Sequence, residues 1–245
     1  MTASICAPRP RPGRVSRERM KLPRRPAAVI FDMDGLLFDT EALYQEAVAM
    51  AAAARGYDAS SGIFVRTIGL PHHHVRGLLL DHFGEAFPID EFLTAWAEHF
   101  WVLAETRLAL KPGAVELLDT LDELGLPRAI ATSSAHRAVQ HHLTAHGLAE
   151  RFHAIVGHGD YADGKPAPDP FLKAADRLGV DPRLCLALED SHNGVRSACA
   201  AGMMTVMVPD LLPASEDIRG LCVAVITDLH GVRQLLLDTD VDPRA

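Results

Sequence analysis

Cysteine is scarce in this sequence of 245 residues, and no apolar run is long. The four cysteines, Cys6, Cys185, Cys199 and Cys222, form no pair at the spacing of a metal site or a redox motif, which favours reduced thiols. The longest apolar stretches are too short to span a membrane, and no basic end followed by an apolar run marks a signal peptide. We therefore predict a cytoplasmic protein without membrane contact.

The two signs of charge are unevenly distributed along the chain. Residues 1–26 hold eight Lys or Arg against Glu18 alone and carry +7, so the remainder of a chain with net charge −8 carries −15. This segment, rich in Pro and Arg, predicts a disordered tail, and Met20 is an alternative first residue. Because no aromatic residue separates its basic residues and the rest of the chain is acidic, we expect no nucleic-acid partner.

Two acids follow the first strand-like run. The apolar segment from Ala27 to Phe31 predicts a buried strand, Asp32 and Asp34 come directly after it, and Gly35 permits a sharp turn. Side chains of a strand repeat every two residues, so the two carboxylates should share one face. Two close like charges favour a bound cation, and Mg²⁺ is the usual partner of carboxylates beside a phosphate. Taken alone, the pattern also fits an ordinary acidic turn.

Hydroxyl side chains end a second apolar run, which begins at Arg128. Thr132, Ser133 and Ser134 precede a helical pattern that starts at Ala135, so they are candidate helix N-caps. A capped helix N-terminus also offers free backbone N–H groups to a phosphate. The two interpretations are compatible, and both place these residues at a strand end.

Two further polar clusters follow later in the chain. Lys165 lies in a stretch that two prolines stiffen, where its compact charge suits a phosphoryl group or carboxylates, although a single lysine is more often solvated surface. Glu189 and Asp190 end the apolar run that begins at Leu184, where Asp190 or Ser191 also fits a helix N-cap. Parallel strands would bring all these strand ends to one edge of a sheet, where ligands of open α/β folds bind.

Strand-like and helical segments alternate along most of the chain, which predicts a doubly wound parallel sheet. The exception is the segment 41–108, where only helical patterns occur, such as those from Glu41 to Arg55 and from Ile89 to Arg107. After the first strand, we predict strands near residues 128–132, 154–157, 184–189, 204–208 and 222–226.

The four polar clusters, in this order, resemble the motifs of the haloacid dehalogenase superfamily over about residues 27–238. Residues 31–41 and 164–169 are similar to its subgroup of small phosphatases and β-phosphoglucomutases. Residues 131–134 and 203–210 look similar to pseudouridine 5′-phosphatases, and 2-deoxyglucose-6-phosphate phosphatases share much of the same pattern. The true dehalogenases lack the second aspartate, so Asp34 favours phosphoryl chemistry. The resemblance implies an α/β fold with a Rossmann-like parallel sheet and an inserted all-helical cap domain. The implied domains are a tail at 1–26, a core at 27–40 and 110–240, and a cap at 41–109.

The resemblance also implies a role for each catalytic side chain. Asp32 would be the nucleophile that forms an aspartyl-phosphate, and Asp34 would protonate the leaving oxygen and then deprotonate water. Thr132, the amide of Ser133 and Lys165 would bind the oxygens of the transferring phosphoryl group. The predicted partner is therefore a small phosphorylated metabolite, and the predicted assembly is a monomer or weak homodimer.

A magnesium site follows from the same resemblance. Mg²⁺ would be held by the carboxylate of Asp32, the backbone carbonyl of Asp34 and the carboxylate of Asp190, with Glu189 supporting these ligands from behind. The ion would let an anionic nucleophile approach an anionic phosphate.

Departures from the mutase pattern favour a phosphatase. β-Phosphoglucomutases carry a histidine twelve residues after the nucleophile, a Lys and an Arg around a cap glycine, and a Lys after the second motif. This chain has Tyr44, Ile68 and His72 beside Gly69, and Ala135 at those positions. We therefore predict a Mg²⁺-dependent phosphatase acting on a sugar phosphate or a nucleoside monophosphate, with a phosphosugar mutase as the alternative.

Histidines occur in two groups whose function the sequence leaves open. His72, His73 and His74 are adjacent and cannot all face one site from a helix, so we expect them to be exposed or partly core-facing. The second group, after Ala135, has helical spacing but no acidic or cysteine partner at ligand spacing, so we expect no zinc site there; it consists of His136, His141, His142 and His146.

Overall fold

The computed structural model describes residues 21–59, 62–67 and 72–240, without the side chains of 72–74 and 240. Most of the predicted tail, and the mutase-specific positions Ile68 and Gly69, therefore lie outside the described residues. Leu22 is buried in the main hydrophobic core, and its backbone N–H donates to Oγ1 of Thr239 at 3.2 Å. The packed structure thus includes residues that precede the predicted domain boundary at residue 26.

Six parallel strands form one sheet in the order β3-β2-β1-β4-β5-β6. Because the order reverses at β1, this sheet has the topological switch point of doubly wound folds, and the predicted fold class is confirmed. All five strands predicted after the first are present, with ends that differ by at most a few residues. The strands are β1 (Ala28–Phe31), β2 (Arg128–Ala135), β3 (Ala154–His158), β4 (Cys185–Glu189), β5 (Met204–Met207) and β6 (Ala224–Val225).

Helices cover both faces of the sheet, as parallel strands require. Alternate residues of β1 enter different cores: Val29 and Phe31 belong to one buried cluster, whereas Ala28 and Ile30 belong to another. The helices are α1 (Thr40–Ala53), α2 (Ile63–Thr67), α3 (His72–Phe83), α4 (Ile89–Arg107), α5 (Ala114–Glu123), α6 (His136–Ala145), α7 (Asp169–Leu178), α8 (His192–Ala200), α9 (Glu216–Leu221) and α10 (Leu229–Asp240).

Helices α1 to α4, here called the helical insertion, lie between β1 and β2, as the sequence predicts. Some of its apolar side chains, among them Phe64 and Phe92, form a separate core, whereas others, such as Leu43 and Phe100, belong to the main core. The division of the chain into domains at the residue numbers given above stays a prediction.

Two linkers join the helical insertion to the sheet, and they run side by side. The N–H of Asp39 donates to the carbonyl of Ala109, and the N–H of Lys111 donates to the carbonyl of Leu37, both at 2.9 Å. Phe38 and Leu110 form an antiparallel bridge between these contacts. The insertion therefore begins and ends at one place, directly beside the loop that carries Asp34.

None of the helices in the described part of the chain combines the length and the apolarity that crossing a membrane requires.

Candidate active site

The ends of β1, β2 and β4 bring most of the predicted site residues together. Asp32 follows β1, and its N–H donates to the carbonyl of Leu188 in β4 at 2.9 Å. Thr132 lies on β2, Glu189 is the last residue of β4, and Asp190 follows it. All four of these polar side chains are buried, although buried polar residues are uncommon. The sheet thus gathers carboxylates and a hydroxyl at its carboxyl edge.

Gly35 lets the loop after β1 pass close to Asp190. Its φ of 78° lies in the left-handed region that favours glycine. A Cβ added at Gly35 would lie 2.5 Å from Oδ2 of Asp190, so no other residue fits without displacing that carboxylate. The N–H of Gly35 donates to Oγ1 of Thr40 at 3.1 Å, which links the loop to the start of α1.

Lys165 lies between two of the carboxylates, as its predicted role requires. Its Nζ donates to Oδ1 of Asp32 and to Oε1 of Glu189, the latter at 2.5 Å, and its side chain is 7% exposed. Burial lowers the pKa of Lys165, but the carboxylates of Asp32 and Glu189 together raise it by more, so the net shift is upward. The lysine is therefore held as a cation inside the site.

Glu189 is fixed by the chain that follows it. Its Oε2 accepts from the N–H groups of Asp190 and Ser191, both at 3.2 Å, and from Oγ of Ser191 at 3.1 Å. Helix α8 packs so closely that a Cβ added at Gly194 would lie 1.9 Å from this carboxyl group. Ser191 is the N-cap of α8 and accepts from the N–H of Gly194. Of the two predicted N-caps, Ser191 thus takes that position, and Asp190 does not.

Three acids approach each other as a metal site would require. Asp32, Glu189 and Asp190 each offer an oxygen, and these oxygens lie within 4.8 Å of one another. Burial, and then Glu189 and Asp34, raise the pKa of Asp32 to about 8 against the opposing effect of Lys165, and burial with neighbouring acids raises the pKa of Asp190 also. Buried carboxylate oxygens of this kind fit a hard divalent cation, which would favour their charged forms.

Asp34 makes different contacts from Asp32. Its Oδ2 accepts from Oγ of Ser134 at 2.7 Å and from Oγ1 of Thr132 at 3.4 Å. Its Oδ1 is buried and has no hydrogen-bond partner among the described residues. The carboxylate of Asp34 is not part of the three-acid cluster, and its predicted metal contact is through the backbone carbonyl.

The prediction that Thr132, Ser133 or Ser134 caps the following helix is wrong. Helix α6 begins at His136 with Ala135 as its N-cap, and no side chain caps it. The chain stays extended as far as Ala135, which pairs with His158, so Oγ1 of Thr132 instead accepts from the N–H of Ser134 at 3.0 Å. Extended backbone in this segment leaves the hydroxyl of Ser134 free to bind Asp34.

Further residues near Asp34 were not assigned from the sequence. Nζ of Lys111 lies 2.7 Å from Oδ1 of Asp210 and 3.5 Å from Oδ1 of Asp39. Burial, then Asp34 and Asp210, raise the pKa of Glu41 to about 8, although Lys111 lowers it. Oδ2 of Asp210 is buried without a hydrogen-bond partner in the described part of the chain.

The histidines after Ala135 make different kinds of contact, and the Nδ1 atoms of His141 and His142 lie 3.3 Å apart. Nε2 of His136 lies 2.8 Å from Oδ2 of Asp160, which also accepts from Arg177. The ring nitrogens of His146 lie 3.0 Å from the backbone carbonyls of His142 and Leu108. These contacts connect neighbouring elements of the fold.

The family model for haloacid dehalogenase-like hydrolases matches residues 26–202. The chain belongs to this family. The resemblance on which the sequence interpretation depends is confirmed, and with it the prediction that the protein is a haloacid dehalogenase-like enzyme.

Relatives of known name agree with this assignment. The chain is 37% identical over 196 residues to a probable pseudouridine-5′-phosphatase of Drosophila melanogaster, which covers 78% of this chain and 84% of the relative. It is 35% identical over 193 residues to hexitol phosphatase B of Escherichia coli K12, covering 78% and 86%. Among solved structures, a putative β-phosphoglucomutase from Thermotoga maritima matches with a TM-score of 0.72 and 28% identity, covering 88% of this chain and 99% of the other.

Proposed function

We propose that this haloacid dehalogenase-like hydrolase is a Mg²⁺-dependent phosphatase of small phosphate monoesters, acting through an aspartyl-phosphate on Asp32. The observation that carries the proposal is the buried contact of Lys165 with Asp32, beside the three-acid cluster. A nucleophilic carboxylate, a fixed cation and a site for a divalent metal are the groups that phosphoryl transfer to a side chain needs. Relatives named as phosphatases support the same reaction.

In the first step, a carboxylate oxygen of Asp32 attacks phosphorus, a new O–P bond forms and the bond to the leaving oxygen breaks. Asp34 supplies the proton that the leaving oxygen takes. We assign this proton to Oδ1 of Asp34, because Oδ2 already accepts from Ser134. In the second step, Oδ1 takes a proton from the water that attacks the aspartyl-phosphate and releases inorganic phosphate.

The transferring group carries negative charge throughout, and the chain places donors around it. Lys165, the hydroxyl of Thr132 and the amide of Ser133 would bind its three outer oxygens. Glu189 has the supporting role of holding Lys165 in place, since both of its oxygens already bind donors of the protein.

The acids of the site fit a magnesium ion, which would be held by the carboxylates of Asp32 and Asp190 and the carbonyl oxygen of Asp34. The ion would neutralise charge between the nucleophile and the phosphate.

A phosphosugar mutase is the second candidate, which the similarity to a solved structure named as a putative β-phosphoglucomutase favours. Two positions described by the structure support hydrolysis instead. Tyr44, which replaces the mutase histidine, is stacked on Phe100 with ring centroids 3.8 Å apart. Ala135, which replaces a lysine, is exposed and carries no charge to bind a second phosphate.

The deciding experiment measures phosphate release with Mg²⁺ from sugar phosphates and nucleoside monophosphates, including pseudouridine 5′-phosphate. A parallel assay follows conversion of β-glucose 1-phosphate to the 6-phosphate. We expect Mg²⁺-dependent release that falls at least about a thousandfold in Asp32→Asn. Asp176→Asn on α7, whose side chain is 71% exposed, is the matched control and should retain full activity.

Turnover that survives in Asp32→Asn would contradict the covalent step. Isomerisation without net phosphate release would show instead that the protein is a phosphosugar mutase.

A further inference from the structure

We propose that Tyr161 is a positioning residue of the phosphoryl site, whose hydroxyl orients the peptide group between Thr132 and Ser133. This inference rests on the proposed phosphatase function. Tyr161 lies outside the four polar clusters on which that function depends.

The segment of β2 that carries the phosphate donors departs from the regular pairing of the sheet. Ala131 pairs with Val156, and Ala135 pairs with His158. Three residues of β2 therefore lie opposite one residue of β3, Gly157. Such a bulge takes backbone groups out of the ladder of hydrogen bonds, and these groups need partners from elsewhere in the chain.

Tyr161 supplies one of these partners. Its hydroxyl donates to the backbone carbonyl of Thr132 at 3.2 Å. On the other side of the bulge, the N–H of Ser134 donates to Oγ1 of Thr132 at 3.0 Å. Hydrogen bonds thus hold the backbone on both sides of Ser133, whose amide is one of the proposed phosphate donors.

The contact of Tyr161 acts directly on that amide. The carbonyl of Thr132 and the N–H of Ser133 belong to one peptide group, and the peptide bond between them is trans. Because a trans peptide group is planar, its C=O and N–H point in opposite directions, and a donor that fixes the carbonyl also fixes the N–H. The same hydrogen bond polarises the peptide group, which makes the N–H a stronger donor to an anion.

Tyr161 is itself held in place. Its ring packs against the buried cluster that contains Phe171, and a Cβ added at Gly164 would lie 3.6 Å from Cε2 of this ring. The preceding residue, Asp160, accepts from the N–H of Gly157 at 3.0 Å, which anchors the loop to β3. Burial raises the pKa of the Tyr161 phenol, so the hydroxyl stays protonated and donates.

The test is Tyr161→Phe in the full chain with Mg²⁺, because this variant removes the hydroxyl and keeps the ring. We expect kcat/KM to fall about five- to tenfold, by the same factor for two substrates with unlike leaving groups, since the peptide group binds the part that all substrates share. The inhibition constant of orthovanadate, which mimics the transferring group, should rise by a similar factor.

Two further readouts separate this role from a merely structural one. The Mg²⁺ concentration for half-maximal activity should stay at the wild-type value, because the hydroxyl binds Thr132 and not one of the three acids. The Tm should fall by at most about 4 °C, since one hydrogen bond is lost and the ring remains.

Tyr57→Phe is the matched control. It removes the same atom from a ring that packs on Phe83 and Phe87 in the helical insertion, and it should leave every one of these constants unchanged.

Three outcomes would overturn the proposal. The first is a Tyr161→Phe enzyme with wild-type kcat/KM and a wild-type inhibition constant. The second is an unequal loss for the two substrates, which would indicate a contact with the leaving group. The third is a loss of Mg²⁺ affinity as large as the loss of orthovanadate affinity, which would indicate a general distortion of the site.

Failure of the proposed function is distinguishable from failure of this inference. If the wild type releases phosphate from no substrate, the proposed function fails, and calorimetric Kd values of inorganic phosphate then decide the role of Tyr161. A Kd that is about five- to tenfold higher in Tyr161→Phe, and unchanged in Tyr57→Phe, would support the positioning role. Equal Kd values in Tyr161→Phe and wild type, or a wild type that does not bind phosphate, would overturn it.

Discussion

The two sides of the catalytic loop differ in how completely their charges are paired. On the Lys165 side, Asp32 and Glu189 both bind the lysine, and Glu189 also accepts three donors from the following chain. On the Asp34 side, Oδ1 of Asp34 and Oδ2 of Asp210 have no hydrogen-bond partner among the described residues. The charged groups of the first side therefore bind one another, whereas the second side has two acceptor oxygens without a partner in the described part of the chain.

This difference follows from the elements that build each side. Asp32 and Glu189 stand at the ends of neighbouring buried strands, where backbone hydrogen bonds fix their position. Glu41 and Tyr44 belong to the helical insertion, which is joined to the sheet through its two linkers. We therefore expect the reaction to depend on side chains that the sheet fixes, and the choice of substrate to depend on the helical insertion.

Among substitutions outside the catalytic aspartates, the largest effect should come from Gly194→Ala, which disturbs the Lys165 side of the loop. The added Cβ would lie 1.9 Å from the carboxyl group of Glu189, which must then move and withdraw a partner from Lys165. We expect kcat/KM to fall about a hundredfold and the free energy of unfolding to fall by about 1–3 kcal/mol. Phosphate release and urea unfolding measure the two effects.

Gly220→Ala in α9 is the control for Gly194→Ala. A Cβ added there meets nothing within 4 Å, so it should leave activity unchanged and stabilise the helix by about 0.5–1 kcal/mol. Equal behaviour of the two variants would show that Glu189 does not need its present position.

A smaller effect should come from Ser134→Ala, which changes the Asp34 side of the loop. This change removes the 2.7 Å hydrogen bond to Oδ2 of Asp34 and leaves the carboxylate less well oriented. We expect kcat to fall about tenfold with little change in stability. Ser215→Ala, which removes a hydroxyl bound to Asp217 in α9, should leave kcat at the wild-type level. A Ser134→Ala enzyme with wild-type kcat would remove Ser134 from the orientation of the acid.

The smallest effect concerns stability and pH. In the folded protein the pKa of Glu41 is about 8, against an ordinary value of 4.5. The unfolded chain therefore releases this proton first, and the stability that protonated Glu41 contributes is complete below pH 4.5 and is lost as the pH rises to about 8. Glu41→Gln cannot ionise, so its Tm relative to wild type should rise by about 3 °C from pH 5 to pH 8.

Thermal unfolding of wild type and Glu41→Gln at several pH values gives this difference directly. If the two Tm curves run parallel, Glu41 does not titrate where its surroundings indicate.

The sequence predicted the Lys165 side of the site better than the Asp34 side. Asp32, Glu189 and Asp190 each end an apolar run, and the rule that parallel strands share a carboxyl edge is enough to bring them together. Lys165 could be associated with them because two prolines stiffen its segment. Strand ends and stiff loops are local features, so local patterns reveal them.

The positions of residues on the Asp34 side depend on contacts that local sequence patterns do not encode. Glu41 stands in the first turn of a helix, where an acid is already explained by the helix dipole. Ser134 was assigned to a helix cap because hydroxyls favour that position, and only the extended backbone as far as Ala135 directs it to Asp34. Asp210 follows β5, and its approach to Gly35 and Lys111 depends on the three-dimensional packing of three separate loops.

The paired linkers have a consequence for how this chain can change over evolutionary time. The segment between Asp39 and Ala109 begins and ends at two residues that share a backbone hydrogen bond. Its length therefore does not set the distance between any two strands of the sheet. Helices there can be lengthened, shortened or exchanged with little added loop-closure entropy and without moving Asp32. We therefore expect that the segment between Asp39 and Ala109 can be replaced in related chains while the carboxylates at the strand ends keep their positions.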